Sequence, residues 1–178
     1  MIQTIQMGHV LREAVRAPFR NLVTRPTGAA VRVRIEATLA LSNCLTALLD
    51  FSEIELVDLS CADEVVAKLL LTPQTAYFLV LQGLREDHHE AIDHVLTHHG
   101  LAIAAVPSGC VAPRLLGWVQ ADAREAFAHI SETGPLDAAG LARALDWSES
   151  RSREALGDLT LHRLVRPVGE LYYPLQTT

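Results

Sequence analysis

Residues 49–64 read LDFSEIELVDLSCADE. An apolar run ends in an acid at Asp50, a second short run ends in another at Asp58, and Ser60-Cys61-Ala62-Asp63-Glu64 follows. From Val65 to Leu71 apolar side chains recur at helical spacing. The pattern predicts two short strands and then a helix over residues 60–71. Ser60 with Asp63 fits a capping box, in which side chains satisfy orphan N–H groups of the first turn. No nucleophile with a partner base and no metal-ligand spacing occupies the stretch, so a hydroxyl ringed by carboxylates reads as a cap or a switch, not as catalytic chemistry.

Outward from there, residues 9–23 carry a weak helical pattern interrupted by Pro18, and TRPTG at 24–28 reads as a turn. Residues 29–41 return to helical spacing through Val31, Ile35 and Leu39. Thr72-Pro73 should stop the helix that begins at Ser60, because proline disfavours α conformation in the residue before it. AYFLVLQ at 76–82 and the run at 101–106 are near-continuous apolar segments, expected of strands covered on both faces. Residues 86–99 between them read as a helix with Gly100 as its stop. Alternating strands and helices imply an α/β fold with a mostly parallel or mixed sheet and packed helices.

The character changes near Gln120. Helices are expected over 122–132, 138–145 (capped by Asp137) and 149–163 (capped by Ser148), followed by a small hairpin of 165–168 and 171–173. The expected organisation is two domains, residues 1–117 and 121–178.

Composition narrows the function classes. The chain has 178 residues, 49% of them hydrophobic, and a net charge of −6, which argues against strong nonspecific binding to nucleic acid or membrane. Lys68 is the single lysine. Three dispersed cysteines, Cys44, Cys61 and Cys110, do not suggest a disulfide framework and fit a reducing compartment. With no signal-peptide pattern and no long apolar run, a cytoplasmic protein without membrane contact is expected.

On Asp50-Phe51-Ser52 at a strand end and Ser60-Cys61-Ala62-Asp63-Glu64 at the next helix start, the chain resembles the STAS-like family, relatives of the anti-sigma-factor antagonist (STAS) domains. The resemblance extends over about residues 20–106, with TRPTGAAVRVRIEATL upstream and LVLQGLREDHHEAIDHVL downstream. In STAS antagonists an acid ends the strand and a phosphorylatable serine opens the helix; Asp58 and Ser60 match those positions. Leu59 and Cys61 depart from the polar residue and the glycine of that pattern. The resemblance implies a non-catalytic signalling module that binds a protein partner, a histidine-kinase-like ATPase or anti-sigma-type kinase. Asp50, Asp58, Ser60, Cys61, Asp63 and Glu64 would form its partner and switch surface. A phosphate on Ser60 would add about −1.5 to −2 charge there.

Three helices and a two-strand hairpin over 122–175 resemble the winged helix-turn-helix of bacterial transcription regulators. That resemblance implies double-stranded DNA as a target, read by Ser148, Ser150, Arg151, Ser152 and Arg153 at the second helix of the turn, with Arg166 by the wing. Residues 121–178 hold six arginines against nine acidic residues, and Glu149, Glu154 and Asp158 share the proposed reading helix. A pure protein-interaction adaptor without DNA binding therefore stands beside the DNA-binding regulator. Winged helices often dimerise, so a homodimer is compatible with either, although no heptad seam requires one.

Glu90, His94 and His98 fall on one helical face, a spacing at which two histidines can share a metal, or simply a polar, pH-sensitive surface. Asp50, Asp58 and Asp63 could serve a metal-dependent enzyme, but no phosphate loop or base accompanies them, so no enzyme activity, metal or cofactor is expected. The cysteines read as small core residues; as the alternative, Cys61 beside a helix start could have a lowered pKa and sense redox state. Trp118 and Trp147 read as packing residues at the domain junction.

Overall fold

The computed structural model describes residues 1–72 and 77–178. Along the chain run β1 (Ile2–Gln6), α1 (Met7–Val15), β2 (Asn21–Leu22), α2 (Arg25–Ala40), β3 (Thr46–Asp50), β4 (Leu56–Val57) and α3 (Leu59–Ala62). A π-helical turn (Asp63–Ala67) leads into α4 (Lys68–Leu71), then β5 (Phe78–Gln82), α5 (Glu86–His98), β6 (Ala102–Val106) and β7 (Arg114–Gly117). The C-terminal part comprises α6 (Ala121–Thr133), α7 (Ala138–Leu145), α8 (Glu149–Leu161), β8 (Val165–Val168) and β9 (Leu171–Pro174). The fold is mixed α/β.

The main sheet has the order β1-β3-β5-β6-β7. The first four strands are parallel and β7 is antiparallel to β6. Spatial order follows chain order, so successive crossovers of one hand stack their helices on one face. Side chains alternate between faces along each strand. Ala47, Leu49, Leu81, Ile103 and Ala105 enter one core with α2, the residue 59–71 helix and α5. Leu48, Val80, Ala102 and Ala104 enter the other, with Ala126, Phe127 and Ile130 of α6 and Leu156 and Leu159 of α8. Both faces are covered, which is why these strands read as unbroken apolar runs. The second core joins residues on both sides of Gln120. Arg124 reinforces the junction by donating to the Gly117 carbonyl at 3.1 Å, and Arg163 by donating to the Tyr77 carbonyl.

Several expectations change. Strand β1 was not foreseen, because IQTIQ is short and only its isoleucines are apolar. The segment read as a turn at 24–28 is mostly helix: α2 starts at Arg25 and takes Pro26 in its first turn, where a missing N–H costs nothing. The expected helix over 9–23 is shorter, ending at Val15 with Arg16 in the left-handed region (φ 53°). Trp118 is half exposed and is not a packing residue. Pro73 and Ala76, part of the expected helix stop and strand start, lie outside the described residues.

Truncating Phe127 to alanine should destabilise the protein by about 3–5 kcal/mol in urea unfolding. Tryptophan fluorescence and far-UV circular dichroism should still report one coincident transition. Two separated transitions would contradict the shared second core.

Candidate functional site

Asp58 holds the site together at backbone level. Its Oδ1 accepts from Cys61 N at 2.8 Å, capping α3, and its Oδ2 accepts from Thr24 N at 2.8 Å, just before α2. Thr24 has φ 71°, an uncommon conformation for a β-branched residue, and this bond helps fix it. One carboxylate thus ties the starts of two helices. The capping box expected from Ser60 and Asp63 is not formed: the cap falls two residues earlier, at Asp58, and Ser60 lies inside the first turn.

The π turn that follows buries Glu64, Val65, Val66 and Ala67 in succession, more than one stripe of an α-helix can face inward. Glu64 is 2% exposed. Its Oε1 accepts from Lys68 Nζ at 2.6 Å and Arg25 at 2.8 Å, and its Oε2 from Arg32 at 3.3 Å. Burial works to raise this carboxyl, but the Lys68, Arg25 and Arg32 hydrogen bonds outweigh it and hold it below the ordinary 4.5. Asp63 shares Arg25 at 2.7 Å and also meets His99 Nε2 at 2.9 Å. Burial opposes its ionisation too, and the Arg25 and His99 bonds again prevail, so its carboxyl lies below the ordinary 3.8.

Above this network lies an open cleft of about 380 Å³. One wall presents Arg25, Leu59, Ser60 and Asp63; the other, from α5 and its cap, presents His94, Val95, His98 and His99. Among the described residues the Ser60 hydroxyl has no protein hydrogen-bond partner, and it is partly exposed in this cleft. Its acidic neighbours are not a bare negative ring. Glu64 is met by three cations, Asp63 by two partners, and Asp58 by two N–H groups.

Asp50 belongs elsewhere. It sits in register between Gln6 and Gln82 at the C-terminal ends of three parallel strands and accepts from both amides at 3.2 Å and from Ser52 N at 2.9 Å. No hydrogen bond or ion pair among the described residues joins it to the Ser60 cleft.

Cys61 is fully buried and its thiol donates to the Thr24 carbonyl at 3.1 Å. Burial, then the adjacent Asp58, push the thiol up to about 12, so Cys61 behaves as the expected core residue and the alternative of a lowered pKa and redox sensing is disfavoured. Nor does Cys61 offer a side chain to a partner at the surface. Among the described residues no group of three His, Cys, Asp or Glu is arranged to hold a metal ion. His88, in the histidine-rich stretch, is buried: Nδ1 accepts from Arg85 N at 3.1 Å and Nε2 donates to the Glu55 carbonyl at 2.8 Å.

The six C-terminal candidates are not equivalent. Ser148 caps α8 by accepting from Arg151 N at 3.1 Å. Ser150 is exposed. Ser152 is fully buried and donates to the Ala138 carbonyl at 2.7 Å, which removes it from any DNA-reading surface. Arg151 makes two bonds to Asp122, at 2.8 and 2.7 Å, and lies over the Trp147 ring at 4.4 Å. Arg153 pairs with Glu149. Arg166 stacks across the hairpin on Tyr173, 4.9 Å from the ring centre. The Arg151–Asp122 pair spans 29 residues and has no local sequence signature.

No family model, curated protein or solved structure matches the chain. Among the described residues no helix is long and apolar enough to cross a membrane.

Two measurements follow from this geometry. Because the folded pKa of Glu64 is depressed, its contribution is present above 4.5 and is lost as pH falls through the folded value. The stability gap between the native protein and Glu64→Gln should therefore be flat from neutral pH to about 5 and close on acidification. The gap should fall below the about 3–5 kcal/mol of a fully buried broken pair, since the three cations can return partly to water. A gap that widens in acid would refute the assignment. Separately, iodoacetamide at pH 8 should label exposed Cys110 and spare Cys44 and Cys61 until the protein unfolds; peptide mapping that finds native Cys61 alkylated would overturn its burial.

Proposed function

We propose that the chain is a non-catalytic regulator that docks a protein partner at the Ser60 cleft, with the α/β part acting as a STAS-like module and the C-terminal part as a winged helix that delivers the output. The observation that carries this reading is the unpartnered Ser60 hydroxyl, facing Arg25 and three histidines while Asp63 and Glu64 are ion-paired and Asp58 is held by two backbone N–H groups. A phosphate on Ser60 would meet less repulsion than the count of acids suggests, and it would compete for Arg25. A kinase-type partner of the kind STAS antagonists meet is consistent with such a site.

For the output, the support lies in α7, a turn with Asp146 in the left-handed region, α8, and the β8–β9 hairpin, to which Leu136 adds a bridge at Tyr172. The face at the start of α8 favours protein over DNA. Arg151 and Arg153 are committed to carboxylates and Ser152 is buried. DNA binding is the second reading, supported by the exposure of Ser148, Ser150 and Arg153.

Selection from a random double-stranded DNA pool at low and near-physiological salt separates the two outputs, with Arg151→Ala/Arg153→Ala as control. The expected result is no enriched motif. A motif lost in the control, with affinity falling steeply as salt rises, would make this a DNA reader. The cleft is tested by a photo-crosslinker at Ser60 in the native host, compared with one at Thr133. A discrete adduct is expected only from Ser60; equal or no adducts would reject the docking site.

A further inference from the structure

The two edges of the five-stranded sheet are finished differently. At β7 the backbone is occupied: Gly117 N donates to Asp93 at 2.7 Å, and Arg124 donates to the carbonyls of Leu115 and Gly117 at 3.5 and 3.1 Å. Such covering is how sheets avoid unwanted pairing, along with edge charges, prolines and bulges. Among the described residues strand β1 has none of these devices. Ile2-Gln3-Thr4-Ile5-Gln6 carries no charge and no proline, and its register with β3 is unbroken from Ile2↔Thr46 to Gln6↔Asp50.

The direction of the open groups follows from the ladder. The Met1 carbonyl accepts from Leu45 N at 2.8 Å, on the β3 side. Alternate residues point the same way, so Gln3 and Ile5 also bond toward β3, while Ile2, Thr4 and Gln6 direct their backbone groups outward. Thr4 is exposed. Gln6 is the N-cap of α1, so its carbonyl serves the helix and its N–H remains available to the edge. Among the described residues nothing hydrogen-bonds the outward groups of Ile2 and Thr4.

We propose that this edge is a homodimer interface: a second copy of the chain pairs its own β1 antiparallel to the first, across a two-fold axis at Thr4, so that one sheet runs through both molecules. The strand is its own complement in that register. Thr4 faces Thr4 as a pair exchanging N–H···O bonds, and Ile2 faces Gln6 with its carbonyl toward the available Gln6 N–H. No like charges meet across the axis. A two-fold interface requires this self-matching of one patch. Capture of a foreign strand relies instead on pockets for alternate side chains, and β1 offers two glutamines, a threonine and two isoleucines, with Ile5 buried in its own core. The inference is independent of what the Ser60 cleft binds.

Sedimentation velocity on the full chain tests it. The native protein should form a discrete dimer at micromolar concentration. Thr4→Pro removes an outward N–H and leaves the β1–β3 ladder intact, so it should sediment as a monomer with its far-UV circular dichroism unchanged. Thr4→Lys and Thr4→Glu should each be monomeric alone and form a mixed dimer when combined, a rescue that a folding defect would not produce. A monomeric native protein, open-ended aggregates, a dimer that survives Thr4→Pro, or charge variants that fail to pair on mixing would each overturn the proposal.

Discussion

The buried carboxylate of Glu64 is the constraint on which the cleft depends. An ionised group at 2% exposure is tolerable only with close partners, and Arg25, Arg32 and Lys68 supply them from two helices. Those bonds draw α2 against the π turn. Gly28 permits the approach, because a Cβ there would lie 3.0 Å from Glu64 Cβ and 3.1 Å from the Cys61 Cα and sulfur. With α2 so placed, Thr24 meets Asp58 and Arg25 reaches Asp63, which in turn holds His99 at the end of α5. The chain of contacts thus runs from one buried charge to both walls of the cleft.

The same chemistry changes the meaning of the acidic residues. Counted along the chain, Asp58, Asp63 and Glu64 suggest a negative rim. In three dimensions each is spent on a structural contact, and the group left over is a neutral hydroxyl. The C-terminal arginines show the converse. Counted along the chain they suggest a basic reading helix, yet Arg151 is held by Asp122 and Arg153 by Glu149. Formal charge is therefore a poor guide to what either surface offers a partner.

How much of this could be read from the residues depended on range. Apolar runs such as FLVLQ and AIAAV announced buried strands because both sheet faces are covered, and Asp137 and Ser148 announced their helices because capping is local. Strand β1 was hidden because its two isoleucines stand three residues apart, so IQTIQ shows no apolar–polar alternation. The cap of the helix near Ser60 lies two residues before the expected one, since Asp58 and Ser60 are both good caps and only the fold chooses between them. The pairs Asp63–His99 and Arg25–Glu64 join residues 36 and 39 positions apart. No periodicity encodes such pairs, so the histidines read as a polar helix face or a metal pair and not as a wall of the cleft.

The covering of both sheet faces also bears on inheritance. Leu48, Val80, Ala102, Ala104 and Leu115 are buried together with the helices beyond Gln120. A chain severed there would turn an oily face toward water, and such fragments stick to one another. The terminal third is thus no cassette that recombination could graft onto another protein or discard without cost. Changes on either side of the seam must be tolerated by the other, and the two stretches are bound to evolve as partners.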